Sequence, residues 1–113
     1  YAEAAVQQLA ETTARPDDYA AAVAANVVSR EDNVRAALAK VELGEGDAAF
    51  VYATDAASSE MVREIPLGDI DVVAEYGAVA VSERAAASDF VAWLVGPEAG
   101  AILEAAGFEA AGA

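Results

Sequence analysis

The side chains able to do chemistry in this chain are carboxylates and hydroxyls, joined by backbone amides. The 113 residues include no histidine and no cysteine. That excludes zinc fingers, Cys–His nucleophile pairs, disulfide frameworks and His-based acid–base catalysis. Asp and Glu together number 20, so carboxylate pairs arise by chance. Asp17-Asp18 and Glu31-Asp32 are adjacent in sequence, which points the two side chains of each pair in different directions on a helix or a strand. No EF-hand spacing is present, and a solvated acidic face is the ordinary reading. Ser58-Ser59 has no Lys or His base nearby in sequence. Gly44-Glu45-Gly46 is a turn and not a phosphate loop, because no Gly-Lys-Ser/Thr follows it. No enzyme is indicated. Two features rise above this background. One is the start of a helix over 33–43, whose first backbone N–H groups lack intrahelical partners and suit an anion. The other is Tyr52, a hydroxyl near the end of an apolar run, where a tyrosine ordinarily belongs to the core or its rim.

The elements that must position these groups follow from periodicity. Residues 2–13 read as a helix, with Ala2, Ala5, Val6, Leu9 and Ala10 at helical spacing. Pro16-Asp17-Asp18 is a helix-start signature for a short Ala-rich helix over 17–24. Val27 and Val28 suggest a short buried strand over 26–29. The clearest helix spans 33–43, where Val34, Ala37, Leu38 and Val41 form one stripe. Asn33 or Asp32 can cap its start, and Gly44 and Gly46 end it. The run 48–53, Ala-Ala-Phe-Val-Tyr-Ala, follows as a buried strand, with a further turn from Asp55 through Ala57. Residues 62–66 and 70–74 read as extended segments separated by a Pro66-Leu67-Gly68-Asp69 turn, and 76–82 as a strand. Helices are expected over 85–95, carrying Phe90, Val91, Leu94 and Val95, and over 97–106, with Pro97 at its first position and Gly107 closing it. Phe108 is placed to fold back as a hydrophobic anchor. Helix, Gly turn and buried strand in succession are half of a parallel α/β unit.

Composition bounds the partners. Six Lys plus Arg against 20 acids give a net charge of −14. Nucleic acid needs a basic patch that Lys40 and five Arg do not supply. No run of ~18 apolar residues is present to span a membrane, and no signal peptide is expected within the chain. The apolar fraction of 57% contains 32 Ala, about half of it, and Ala contributes little burial compared with the ~1.5–3 kcal/mol of a large aliphatic side chain. Acid excess with almost no Lys suits a high-salt or high-GC organism, where Debye lengths of ~3 Å at 1 M salt mute self-repulsion; plain solubility is the alternative. The opening inside a helical pattern, without Met, suggests a piece of something longer.

Several segments in order carry a family resemblance. They are Glu31-Asp32-Asn33-Val34-Arg35-Ala36-Ala37-Leu38, Val41-Glu42-Leu43-Gly44-Glu45, and Asp47 through Ala56 with its Tyr52-x-x-Asp55. They continue in Val73-Ala74-Glu75-Tyr76, Ala78 to Val81, Phe90 to Leu94, Gly96-Pro97-Glu98-Ala99, Ile102 and Gly107-Phe108. Together they closely resemble the periplasmic molybdate-binding proteins, the solute receptors of molybdate/tungstate ABC importers. Residues 15–30 match least.

The resemblance implies an α/β, periplasmic-binding-protein-like (type II) two-lobe fold, here as a C-terminal fragment. Residues 1–62 correspond to the later part of the inserted lobe, and 63–113 to the crossover and the C-terminal part of the first lobe. It implies an extracytoplasmic, monomeric receptor without cofactor, whose ligand is molybdate or tungstate and whose partner is a membrane permease. By the same resemblance the oxyanion is held by the Val34 backbone N–H and the Tyr52 hydroxyl. A further Ala N–H would fall just before Tyr1, and two Ser-type ligands belong to an earlier segment. No metal is coordinated directly by protein side chains. A branch of the family is six-coordinate at the metal and has a Glu directly before the matching Tyr; Val51 stands there, which implies tetrahedral, donor-only binding. Gly77 replaces the Pro that follows the Tyr76 position in many relatives. Neutral donors suffice for an oxyanion, because each charge-assisted hydrogen bond contributes about 1.5–3 kcal/mol. Arg35 is expected to serve solubility or to pair with Glu31, and Glu31 and Asp32 to cap. Three other readings stay open: a cytoplasmic oxyanion-sensing domain of a transcription regulator, a receptor for another small anion, and a small acidic interaction domain.

Overall fold

The computed structural model describes residues 1–12, 16–68 and 70–110. Among them are six helices: α1 (Ala2–Thr12), α2 (Tyr19–Ala25), α3 (Val34–Glu42), α4 (Ala53–Ala57), α5 (Ala85–Leu94) and α6 (Pro97–Ala105). The chain divides into two compact units, Tyr1–Ala74 and Glu75–Ala113.

In the first unit α1 packs on α2, and α3 on α4. The stripe foreseen in α1 buries Ala5, Val6 and Leu9, while Glu3 at its first turn stays exposed. Thr13, the expected last residue of this helix, lies outside the described residues. The second helix begins at Tyr19 and not at Asp17. The Pro16 carbonyl accepts the Tyr19 N–H at 2.9 Å, so the proline and the two aspartates form the turn that leads in. Arg30 Nη1 pairs with Glu3 Oε1 at 2.9 Å, tying the segment after α2 back to α1. Both side chains are exposed, so this pair contributes at most about 1 kcal/mol. Gln8 on α1 closes the unit: its Nε2 donates to the Asp71 carbonyl at 3.0 Å, and its Oε1 accepts the Asp71 N–H at 2.7 Å.

The second unit is a helical corner. Pro97 occupies the start of α6, as its fixed φ favours. The Gly96 N–H donates to the Trp93 carbonyl at 2.8 Å at the join. Phe90 and Trp93 stack along α5 at 5.8 Å, and Trp93 Nε1 donates to Glu98 Oε2 at 3.3 Å. Ala99 is the most buried of the described residues, 1% exposed. Phe108 does fold back: its N–H donates to the Leu103 carbonyl at 3.0 Å and its ring meets Tyr76 edge-on at 6.2 Å.

No strand forms among the described residues, which departs from the α/β expectation. The runs 26–29, 48–52, 62–66, 70–74 and 76–82 are unpaired chain, and Ala53 belongs to α4. A strand exists only through the hydrogen-bonded neighbour that accepts its N–H and C=O groups. At Asp71 those groups go to the amide of Gln8 instead. Val79 and Val81, apolar in the manner of a buried strand, are 78% and 94% exposed. The Pro66–Asp69 turn is seen in part, with the Ile70 N–H donating to the Gly68 carbonyl at 2.9 Å; Asp69 lies outside the described residues.

The C-terminal ends of α3 and α6 use one device. After α3, Gly44 adopts φ +73°, its N–H donates to the Val41 carbonyl at 3.0 Å, and the Glu45 N–H donates to the Lys40 carbonyl at 2.8 Å. Gly107 repeats this after α6 with φ +89°. These are Schellman closures, which need a residue free to take positive φ. Lys40 Nζ also reaches the Glu45 carboxylate. That hydrogen bond and the Glu45 charge raise the Lys40 pKa above its usual 10.5, with Glu31 adding to the effect. A cation whose pKa rises on folding stabilises at lower pH, so the pair's contribution is complete through neutral pH and fades above the ordinary lysine range. Nothing lies within 4 Å of a Cβ added at Gly44, so only backbone strain opposes a side chain there. Gly44→Ala is therefore expected to lower stability by about 1–2 kcal/mol, while Gly46→Ala, at a residue without positive φ, leaves it nearly unchanged. Thermal melts followed by circular dichroism compare the two.

Candidate functional site

Helix α3 starts after an asparagine that is not itself helical. Asn33 is extended, φ −150° and ψ 159°, and its Oδ1 accepts the Ala36 N–H at 3.0 Å. Its carbonyl accepts the Ala37 N–H at 3.4 Å. Of the two caps the sequence allows, Asn33 is the one used. The N–H groups of Val34 and Arg35 precede the first intrahelical bond, so they carry the positive end of the α3 dipole outward. Val34 is half-buried and Arg35 exposed. Arg35 does not pair with Glu31, whose Oε1 accepts from the Ser29 hydroxyl at 2.5 Å.

Tyr52 stands directly ahead of α4. It is extended, φ −73° and ψ 154°, and its carbonyl accepts the N–H groups of Asp55 and Ala56 at 3.0 and 3.1 Å. The expected strand end is thus an N-cap, and the turn expected from Asp55 starts two residues earlier. The half-buried Tyr52 ring meets the Tyr1 ring edge-on at 6.0 Å. The Tyr1 carbonyl accepts the Ala5 N–H at 2.9 Å and so begins α1. One compact unit therefore contains Val34, Tyr52 and the start of α1, with Tyr52 in contact with the last. Tyr1 was not singled out by sequence; a contact across 51 positions has no local signal.

Between α3 and α4 lies a groove of about 360 Å³ lined by Arg35, Leu38, Ala39, Glu42, Asp55 and Ser58. Neither Val34 nor Tyr52 lines it. Leu38 and Ala56 are the buried residues of the two helices. Asp55 Oδ2 is buried without a hydrogen-bond partner. The ends of the helices are joined by Ser59, whose hydroxyl donates to Glu42 Oε1 at 2.5 Å in a partly buried position. The Ser59 hydroxyl oxygen in turn accepts the Met61 N–H at 3.2 Å. Among the described residues no three carboxylates cluster in a way that could hold a metal ion.

A family model described as a bacterial extracellular solute-binding protein matches residues 1–109. The chain belongs to that family. Neither the curated proteins nor the solved structures yield a match. A solute-binding protein takes up a small solute outside the cytoplasm and serves a transporter; such proteins bind and do not generally catalyse.

The Asn33 cap orients the α3 start, so its loss has a defined effect. Asn33→Ala is expected to cost about 1 kcal/mol, and Asn33→Ser to restore most of it because a hydroxyl also accepts the Ala36 N–H. Urea denaturation of the two variants against the parent measures the difference.

Proposed function

We propose that this solute-binding protein is the receptor of a molybdate/tungstate ABC importer. The observation that carries the reading is the pairing, in one compact unit, of an Asn-capped helix start at Val34 with Tyr52 at the start of α4 and against the start of α1. In this reading the Val34 N–H and the Tyr52 hydroxyl each donate to one oxygen of a tetrahedral dianion. Donors from an earlier part of the protein complete its coordination. No lysine or arginine is required, because aligned amide dipoles and hydroxyls in a dry cleft hold the charge. Selectivity comes from donor geometry and cavity size and not from net charge.

The two-lobe type II architecture belongs to the same proposal. Residues 1–62 form the later part of the inserted lobe, and 63–113 the crossover and the end of the first. The exposure of Phe50, Val79, Val81 and Phe90 supports this, since apolar runs of this kind are ordinarily covered by a sheet or by further helices. The protein works outside the cytoplasm as a monomer and delivers the oxyanion to a membrane permease.

Titration calorimetry on the full-length protein tests the proposal. Molybdate and tungstate are expected to bind with sub-micromolar affinity, and Tyr52→Phe to weaken that binding by about 1–3 kcal/mol through the lost hydroxyl bond. Binding of neither ion overturns the reading. Unchanged affinity in Tyr52→Phe removes the tyrosine from the site.

A further inference from the structure

The hydrogen bond from Ser59 to Glu42 links residues 17 apart and is partly buried, unlike the exposed bonds around it. Glu42 is the last residue of α3, and Ser59 lies two residues past the end of α4. The bond therefore joins C-terminal end to C-terminal end. The groove lining runs the length of α3, from Arg35 through Leu38 and Ala39 to Glu42, against Asp55 of the shorter helix and Ser58 just past its end. The two helices pack on each other, and this bond ties them at their C-terminal ends.

We infer that Glu42 and Ser59 act as a clamp that sets the spacing between the α3 start at Val34 and Tyr52. The inference rests on the proposed anion site and adds positioning residues to it. Both helices are short and internally bonded, so neither absorbs a shift at one end. From Glu42 to Val34 is eight residues, about 12 Å of helix, and a tilt at the clamped end is carried to the far end undiminished. On α4 the path is shorter. The Ser59 N–H donates to the Ala56 carbonyl at 3.2 Å, and the Ala56 N–H to the Tyr52 carbonyl at 3.1 Å. Ser59 is itself held from the other side by the Met61 N–H. The connection 43–52 contains Gly44 and Gly46 and no helix, so it does not fix the two starts by itself. Buried hydrogen bonds of this kind define which of several close packings a pair of helices adopts.

Nuclear magnetic resonance of the ligand-free full-length protein, together with molybdate titration, tests the clamp. Ser59→Ala and Glu42→Ala are each expected to shift the Val34 amide and Tyr52 ring signals and to weaken molybdate binding roughly three- to tenfold. The double variant should lose no more than either single one, because the bond is already broken in each. Ser59→Thr keeps the hydroxyl and Glu42→Gln keeps an acceptor oxygen, so both should return the signals and the affinity toward the parent values. Generic destabilisation would spread signal changes without that pattern of rescue. Signal changes in Ser59→Ala confined to residues around 42 and 58–61 overturn the clamp even where molybdate binds. If the parent binds no molybdate, the oxyanion reading fails, and the Val34 and Tyr52 signals still decide the clamp.

Discussion

The first amides of a helix point along its axis with nothing inside the helix to receive them, and much of this molecule answers to that fact. In α3 the Asn33 side chain receives one, from Ala36. The amides of Val34 and Arg35 are left facing away from the helix body with the dipole behind them. The opposite end carries the reverse requirement. There the Gly44 closure and the amide of Glu45 satisfy the last carbonyls, so the C-terminal end is sealed while the N-terminal end is not. Helix α4 repeats the asymmetry on a smaller scale, with the Tyr52 carbonyl collecting two amides and no side chain capping the start.

The helices were legible because their signals are local. The stripe in 33–43, the Asn33 cap, Pro97 at a helix start and Gly107 at a helix end each act within four or five residues, and each is observed. The start of α2 was misplaced by two residues because Pro16 with two acids also suits a plain turn. The strands were not realised because a strand is a relation between segments, and alternation or apolarity in 48–53 or 76–82 says nothing about which segment lies beside it. Of the candidate site, Val34 and Tyr52 were singled out through resemblance; the structure shows the first opening α3 and the second standing at the N-cap of α4. Tyr1 against Tyr52 and Ser59 on Glu42 were invisible, since each joins residues distant in the chain and no spacing rule links them.

Charge plays a different part from the one its size suggests. With −14 overall, the chain forms two side-chain ion pairs among its described residues, Arg30–Glu3 and Lys40–Glu45, both at the surface. Most acids face solvent unpaired by any base. Their repulsion falls as ionic strength rises. The amides at the starts of α3 and α4 are indifferent to that screening at short range, since a hydrogen bond is made within ~3 Å.

The buried hydrophobic residues among those described are Ala5, Val6, Leu9, Leu38, Ala56 and Ala99, while Val28, Val81, Met61 and Phe90 stay largely in water. Heat capacity of unfolding comes from apolar surface newly hydrated when the chain opens. Side chains already hydrated in the folded state contribute none of it. This arrangement of residues therefore melts with a small heat-capacity increment, and its free energy changes with temperature along a shallow arc rather than a steep dome. Each apolar side chain that gains cover from elsewhere would deepen that arc, so calorimetric curvature is a direct gauge of how much of this surface is normally dry.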